Sequence, residues 1–106
     1  MVHELRIYSI KPGKMKEWTE LFEEHLQPLH DKLGIPIEGT WVCAERSEFV
    51  WIRFFETAEE IPARDEEYFA TPERRALGDL PSDYITAIDV RIMEAVTPKT
   101  DGRDRE

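Results

Sequence analysis

The sequence predicts an α+β fold of ferredoxin-like type, βαββαβ, with a four-stranded antiparallel sheet and its helices on one face. Three observations predict it. Four stretches, 2–10, 37–45, 48–56 and 84–96, are rich in β-branched and aromatic residues and read as strands. Helical signals fill 14–33 and 57–77, after the first strand and before the last. Only Arg46 and Ser47 separate the two middle strands, so these form a hairpin. The usual spatial order for this pattern is 4-1-3-2.

Taken in order, residues 2–10 alternate as a strand until Lys11-Pro12-Gly13-Lys14 breaks it. From Lys14 to Leu33, apolar residues at 15, 18, 21, 22, 26, 29 and 33 make a helical stripe. Pro28 falls inside and is expected to kink or split the helix. Gly34 is placed to end it. After the hairpin, Thr57 and Glu60 have capping-box spacing, and Pro62 and Pro72 imply two short helical pieces. Residues 78–83 read as a loop, and 84–96 as the last strand. A single domain over 1–96 is expected, followed by a disordered polar tail at 97–106.

The bulk properties narrow the function classes. A net charge of −9 on 106 residues lacks the basic stripe of a nucleic-acid binder and disfavours anionic membranes. One cysteine, Cys43, allows no internal disulfide and is expected in the core. There is no signal-peptide pattern and no membrane-length apolar run, so a cytoplasmic location is expected. No glycine-rich phosphate loop and no metal-ligand spacing stand out, so neither cofactor nor metal is expected.

Strand one carries two faces: Leu5 and Ile7 on one, Glu4, Arg6 and Tyr8 on the other. Matching apolar residues with the last strand sets Leu5 opposite Val90 and Ile7 opposite Ile88. That register also sets Glu4 opposite Arg91 and Arg6 opposite Asp89, with the apolar residues on the helix face. Strand three is apolar on both faces: Val50, Ile52 and Phe54 on one, Phe49, Trp51 and Phe55 on the other. Helices cover one face only, so the other needs a cover. A second copy related by a twofold axis is the expected partner. Glu4, Arg6, Asp89, Arg91, Phe49, Trp51 and Phe55 are expected to form its interface.

Four stretches, HELRIYSIKPGKMKEW, GIPIEGTWV, EFVWIRFFE and YFATPE, resemble the NipSnap family of the dimeric α+β barrel superfamily. The resemblance runs from residue 2 to about 95. It implies a homodimer with its two sheets packed face to face. After YFATPE the family pattern usually has an aromatic, where this chain has Arg74 and Arg75.

Two groups of residues could carry chemistry. His3, His25 and His30 are expected to gather towards one end of the layer between sheet and helices, with His3 and His25 the candidates for a general base. Arg6, Tyr8, Trp51 and Arg53 can bind an aromatic or anionic metabolite, a guanidinium pairing its carboxylate. The resulting expectation is a homodimer that binds, and in one version transforms, a small aromatic or polyketide-like compound without a nucleotide cofactor. An enzyme of this kind would be a cofactor-independent monooxygenase or cyclase, ahead of a haem-dependent one. The alternative is a non-catalytic dimerisation or protein-interaction module.

Overall fold

The computed structural model describes residues 1–96. The expected tail at 97–106 lies outside the described residues. Strands β1 (Val2–Ile10), β2 (Ile37–Val42), β3 (Glu48–Phe55) and β4 (Ile85–Met93) form one sheet in the order β2-β3-β1-β4. Every neighbouring pair is antiparallel. This is the expected 4-1-3-2 order read from the other edge.

The first helical stretch is one rod with a widened turn. Helix α1 (Met15–Leu21) passes through a π-helical segment, Phe22–Leu26, into α2 (Gln27–Leu33). The segment closes with the Gln27 N–H donating to the Phe22 carbonyl. Pro28, in the first turn of α2, has no N–H to give. The proline expected to break the helix thus sits beside a π-turn that absorbs the missing donor. Gly34 stops α2 in the left-handed region, at φ 71°.

In the second stretch both prolines start helices. Pro62 and Pro72 occupy the opening positions of α3 (Ile61–Ala70) and α4 (Pro72–Leu77). The Thr57 capping box does not form, because Thr57 precedes a short 3-10 turn and its side chain caps nothing. The cap belongs to Thr71, whose hydroxyl accepts the Arg74 N–H at 3.2 Å. The expected loop at 78–83 contains a single helical turn, α5 (Leu80–Asp83). Cys43 is only partly buried, with its Sγ 3.5 Å from Glu48 Oε1.

The two sheet faces are exchanged relative to the sequence expectation. Phe49, Trp51, Arg53 and Phe55 are buried, as are Val2, Glu4, Tyr8 and Ile10. Trp18 and Phe22 of the helical rod pack onto them, with ring centroids 5.7 Å apart for Trp18–Phe49 and 5.0 Å for Phe22–Trp51. The reason lies in surface area. An aromatic ring removes about 150–250 Å² from water, so the face with two phenylalanines, a tryptophan and Tyr8 outweighs one of Leu5, Ile7, Val50, Ile52 and Phe54. Glu4, Arg6 and Arg53 share the parity of those rings and go inward with them.

The β1–β4 register is correspondingly one residue away from the expected ladder. Arg6 pairs with Val90, Tyr8 with Ile88 and Glu4 with Ile92, while Leu5 meets Arg91 and Ile7 meets Asp89. Arg6 and Asp89 therefore point to opposite faces. Glu4 has its cation on the other side, being directly opposite Arg53 of β3. Asp89 and Arg91 form an ion pair with each other instead. The expected network of Glu4, Arg6, Asp89, Arg91, Phe49, Trp51 and Phe55 is thus split: five residues face the helices and two face away.

Two apolar surfaces remain open. The face away from the helices carries Leu5, Ile7, Val50, Ile52 and Phe54, all partly exposed. Trp41 extends it at 51% exposure, its indole lying over Gly39, where an added Cβ would meet the ring at 2.7 Å. On the helix side, Ile88, Val90 and Ile92 of β4 are 52%, 38% and 49% exposed, because the helices do not reach this edge strand.

Candidate functional site

A cavity of about 250 Å³ opens between the sheet and the helices. Its floor is β1 and β3, through Arg6, Tyr8, Trp51 and Arg53; Trp18 and Leu26 close one side, and Asp65, Tyr68, Phe69 and Arg74 the other. Ile85 and Ile88 of β4 lie at its margin with Pro81 and Ser82. The four residues expected to bind a ligand are therefore brought together, in the helix-side layer rather than on the face open to a partner.

A charged cluster supports the floor. Arg53, 2% exposed, donates from Nε to Glu4 Oε1 at 2.7 Å. Its Nη2 lies between Glu4 Oε1 at 2.7 Å and Asp65 Oδ1 at 2.9 Å, in ion pairs rather than aligned hydrogen bonds. Arg6 reaches the other Glu4 oxygen, with Nη1 3.1 Å from Oε2. One buried carboxylate thus serves two guanidinium groups, and Asp65 completes only Arg53. Arg6 also donates from Nε to the Tyr8 hydroxyl at 3.0 Å, and its guanidinium carbon lies 5.6 Å from the Tyr8 ring centroid and 5.7 Å from that of Trp51. Burial alone would lower the Arg6 pKa, but Tyr8 and Glu4 outweigh it and raise it, so the guanidinium stays charged.

His30 is the histidine of this layer. It is fully buried, and its Nδ1 lies 2.8 Å from the Leu26 carbonyl. A carbonyl can only accept, so Nδ1 carries the proton and Nε2 presents its lone pair to Arg53 Nη1 at 3.4 Å. Burial, aided by the Arg53 charge, lowers its pKa to about 4 against the opposing pull of the Leu26 bond. A neutral ring therefore helps hold Arg53 in place. Burial also raises the Tyr68 pKa, partly offset by the Arg74 charge.

His3 and His25 do not meet here. His3 lies on the open face with Leu5 and Ile7, bonded to Glu38 and 4.6 Å from the Phe54 ring. The parity exchange that buries Glu4 carries it there. His25 is exposed on the outside of the π-helical segment. Neither lines the cavity. Sequence reading placed His30 in the same layer but did not select it. Its distinguishing signal was its place one position after Leu29 in the apolar stripe. Among the described residues, no three His, Cys, Asp or Glu side chains are grouped to hold a metal ion.

Several lining residues carry donors, although the two indole nitrogens lie beneath the cavity surface. The indole N–H groups of Trp18 and Trp51 are buried without an acceptor among the described residues. The Tyr8 hydroxyl accepts from Arg6, which leaves its own proton to donate elsewhere. Arg74 stacks its guanidinium 5.0 Å from the Phe69 ring centroid and 5.8 Å from that of Tyr68.

The NIPSNAP family profile matches residues 3–98. Solved structures share the fold at low identity. A NIPSNAP domain protein of Burkholderia xenovorans superposes with a TM-score of 0.81 at 18% identity, covering 93% of this chain and 100% of its own. A NIPSNAP family protein of Agrobacterium tumefaciens gives 0.80 at 20% identity, over 95% of this chain and 94% of its own. A Nitrosomonas europaea protein named as a candidate antibiotic biosynthesis monooxygenase gives 0.69 at 16% identity, over 92% of this chain and 100% of its own. No curated protein matches the sequence significantly.

Proposed function

The chain belongs to the NIPSNAP family, and from that premise we propose that it is a small-molecule-binding protein whose ligand, a small aromatic or polyketide-like compound, occupies the cavity between sheet and helices. The observation that carries this reading is the conjunction of a ring-lined cavity with donors left over in its wall: the Arg6 edge and the Tyr8 hydroxyl. A packed structural layer would satisfy those groups internally. Fold likeness to monooxygenase-type proteins keeps a cofactor-independent transformation within the proposal, but fold alone does not assign chemistry.

The open sheet face supports a second part of the proposal, a homodimer. Leu5, Ile7, Val50, Ile52 and Phe54 make an apolar surface flanked by the Asp89–Arg91 pair. With the faces exchanged, the need for a cover remains and moves to these residues. This same face favours the alternative reading, a protein-interaction module.

The cavity is tested by tryptophan fluorescence, since Trp18 and Trp51 line it. Titration with small aromatic compounds is expected to change the emission saturably. Ile88→Trp, at the exposed margin, is expected to fill the mouth and weaken binding at least tenfold while leaving the melting temperature within a few degrees. Saturable binding that is indifferent to Ile88→Trp contradicts the assignment.

A further inference from the structure

We infer that the ligand is a planar aromatic acid, its oxyanion held by Arg6 and the Tyr8 hydroxyl and its ring laid against Trp51 and Tyr68. This rests on the reading of the cavity as a small-molecule site and specifies the compound it takes.

Three guanidinium groups, Arg6, Arg53 and Arg74, stand in the wall or floor against two carboxylates, Glu4 and Asp65. The Arg6–Glu4–Arg53–Asp65 cluster is neutral, and Arg74 in the opposite wall gives the lining one net positive charge, in a chain whose overall charge is −9. A carboxylate or phenolate is drawn to that excess, and a cationic ligand is not.

The pairing pattern says which arginine is used. Arg53 is spent: two carboxylates and the His30 lone pair surround it. Arg6 has one oxygen of the shared Glu4 carboxylate, a hydroxyl and a partly exposed edge. Its Nη2 edge remains for a guest. That nitrogen offers a charged N–H to one carboxylate oxygen. Beside it, the Tyr8 O–H has already accepted from Arg6 Nε and is left only to donate. Arg6 and Tyr8 thus form two adjacent donors, one of them charged.

The walls then select a flat body. Trp18, Trp51, Tyr68 and Phe69 line the cavity together with Leu26, Ile85 and Ile88. Its volume of about 250 Å³ lies just below the usual range of ligand pockets, about 300–1,000 Å³. One or two fused rings suit it better than a large polycycle.

The test compares 2-naphthoate with its neutral isostere 2-naphthamide by tryptophan fluorescence and calorimetry. Charge-assisted bonds are stronger than neutral ones, so the acid is expected to bind the wild-type protein about tenfold or more tightly than the amide. Arg6→Gln is expected to bring the two within about threefold, the larger loss falling on the acid. Tyr8→Phe, which keeps the ring packing, is expected to reduce the preference part way. Equal binding of acid and amide to the wild type, or an acid preference that survives Arg6→Gln, overturns the inference and leaves the cavity reading standing. Binding of neither probe overturns both. If Arg6→Gln does not fold, the wild-type ratio and Tyr8→Phe decide.

Discussion

His30 shows how a single buried ring reports on the cluster. In the unfolded chain its pKa is near the ordinary 6.5, and in the folded protein it is lowered to about 4. Between these values the unfolded state holds a proton that the folded state excludes, so stability rises with pH across that window. The contribution is complete above pH 6.5 and is lost as the pH falls towards 4. At about 1.4 kcal/mol per pH unit it amounts to roughly 3 kcal/mol. Arg6, Arg53 and Asp65 are the charged groups facing the ring. Urea unfolding of wild type and His30→Gln at pH 7.5, 6 and 5 is expected to show the wild type losing more stability on acidification. Identical slopes would mean that the ring is not held neutral. None of this was readable from His30 itself. The sequence shows a histidine near an apolar stripe, but not the Leu26 carbonyl that fixes its tautomer or the arginine above it.

At the scale of elements, the helices were legible where backbone chemistry is local. Gly34 was recognisable as a stop because little else occupies a left-handed cap cheaply. Gly34→Ala is expected to cost about 1 kcal/mol in thermal or urea unfolding. The cost is purely conformational, since an added Cβ meets nothing nearer than Arg64 Nη2 at 4.0 Å. A neutral substitution would show that the cap is not left-handed. Pro62 and Pro72 were visible as interruptions, and the structure makes them helix starts, since the first turn has no use for their missing N–H. Thr57 and Thr71 both precede acidic, helix-forming residues, and spacing alone does not say which hydroxyl meets an N–H. Strand parity was harder. β3 is apolar on both faces, so it leaves open which face meets the helices. The reading followed Leu5 and Ile7, and the ring area of Phe49, Trp51, Phe55 and Tyr8 decided otherwise.

For the whole molecule, the strand order and the helix layer followed from element order, while the place of the site depended on parity. Arg6, Tyr8, Trp51 and Arg53 were identifiable as a set because one alternation carries all four, whichever way it faces. His3 and His25 were misplaced because one followed the wrong face and the other lies outside the helical stripe. The parity exchange also moves the proposed dimer contact from the aromatics to Leu5, Ile7, Val50, Ile52 and Phe54. Sedimentation equilibrium at micromolar concentration is expected to give about twice the 12.5 kDa chain mass. Ile52→Glu is expected to bring it to the single-chain value by placing a charge in the apolar contact. A wild-type protein that sediments as one chain contradicts the dimer and leaves the open face to another partner. Among the described residues, no helix is long and apolar enough to cross a membrane.

The proposed seat of an aromatic acid is the helix-side cavity. A crystal structure of the protein with 2-naphthoate tests this directly. The predicted result is a ring in the helix-side cavity against Trp51 and Tyr68, its carboxylate within about 3 Å of Arg6 and Tyr8. A ligand seated instead on the open face against Ile52 and Phe54, with the helix-side cavity empty, would contradict it.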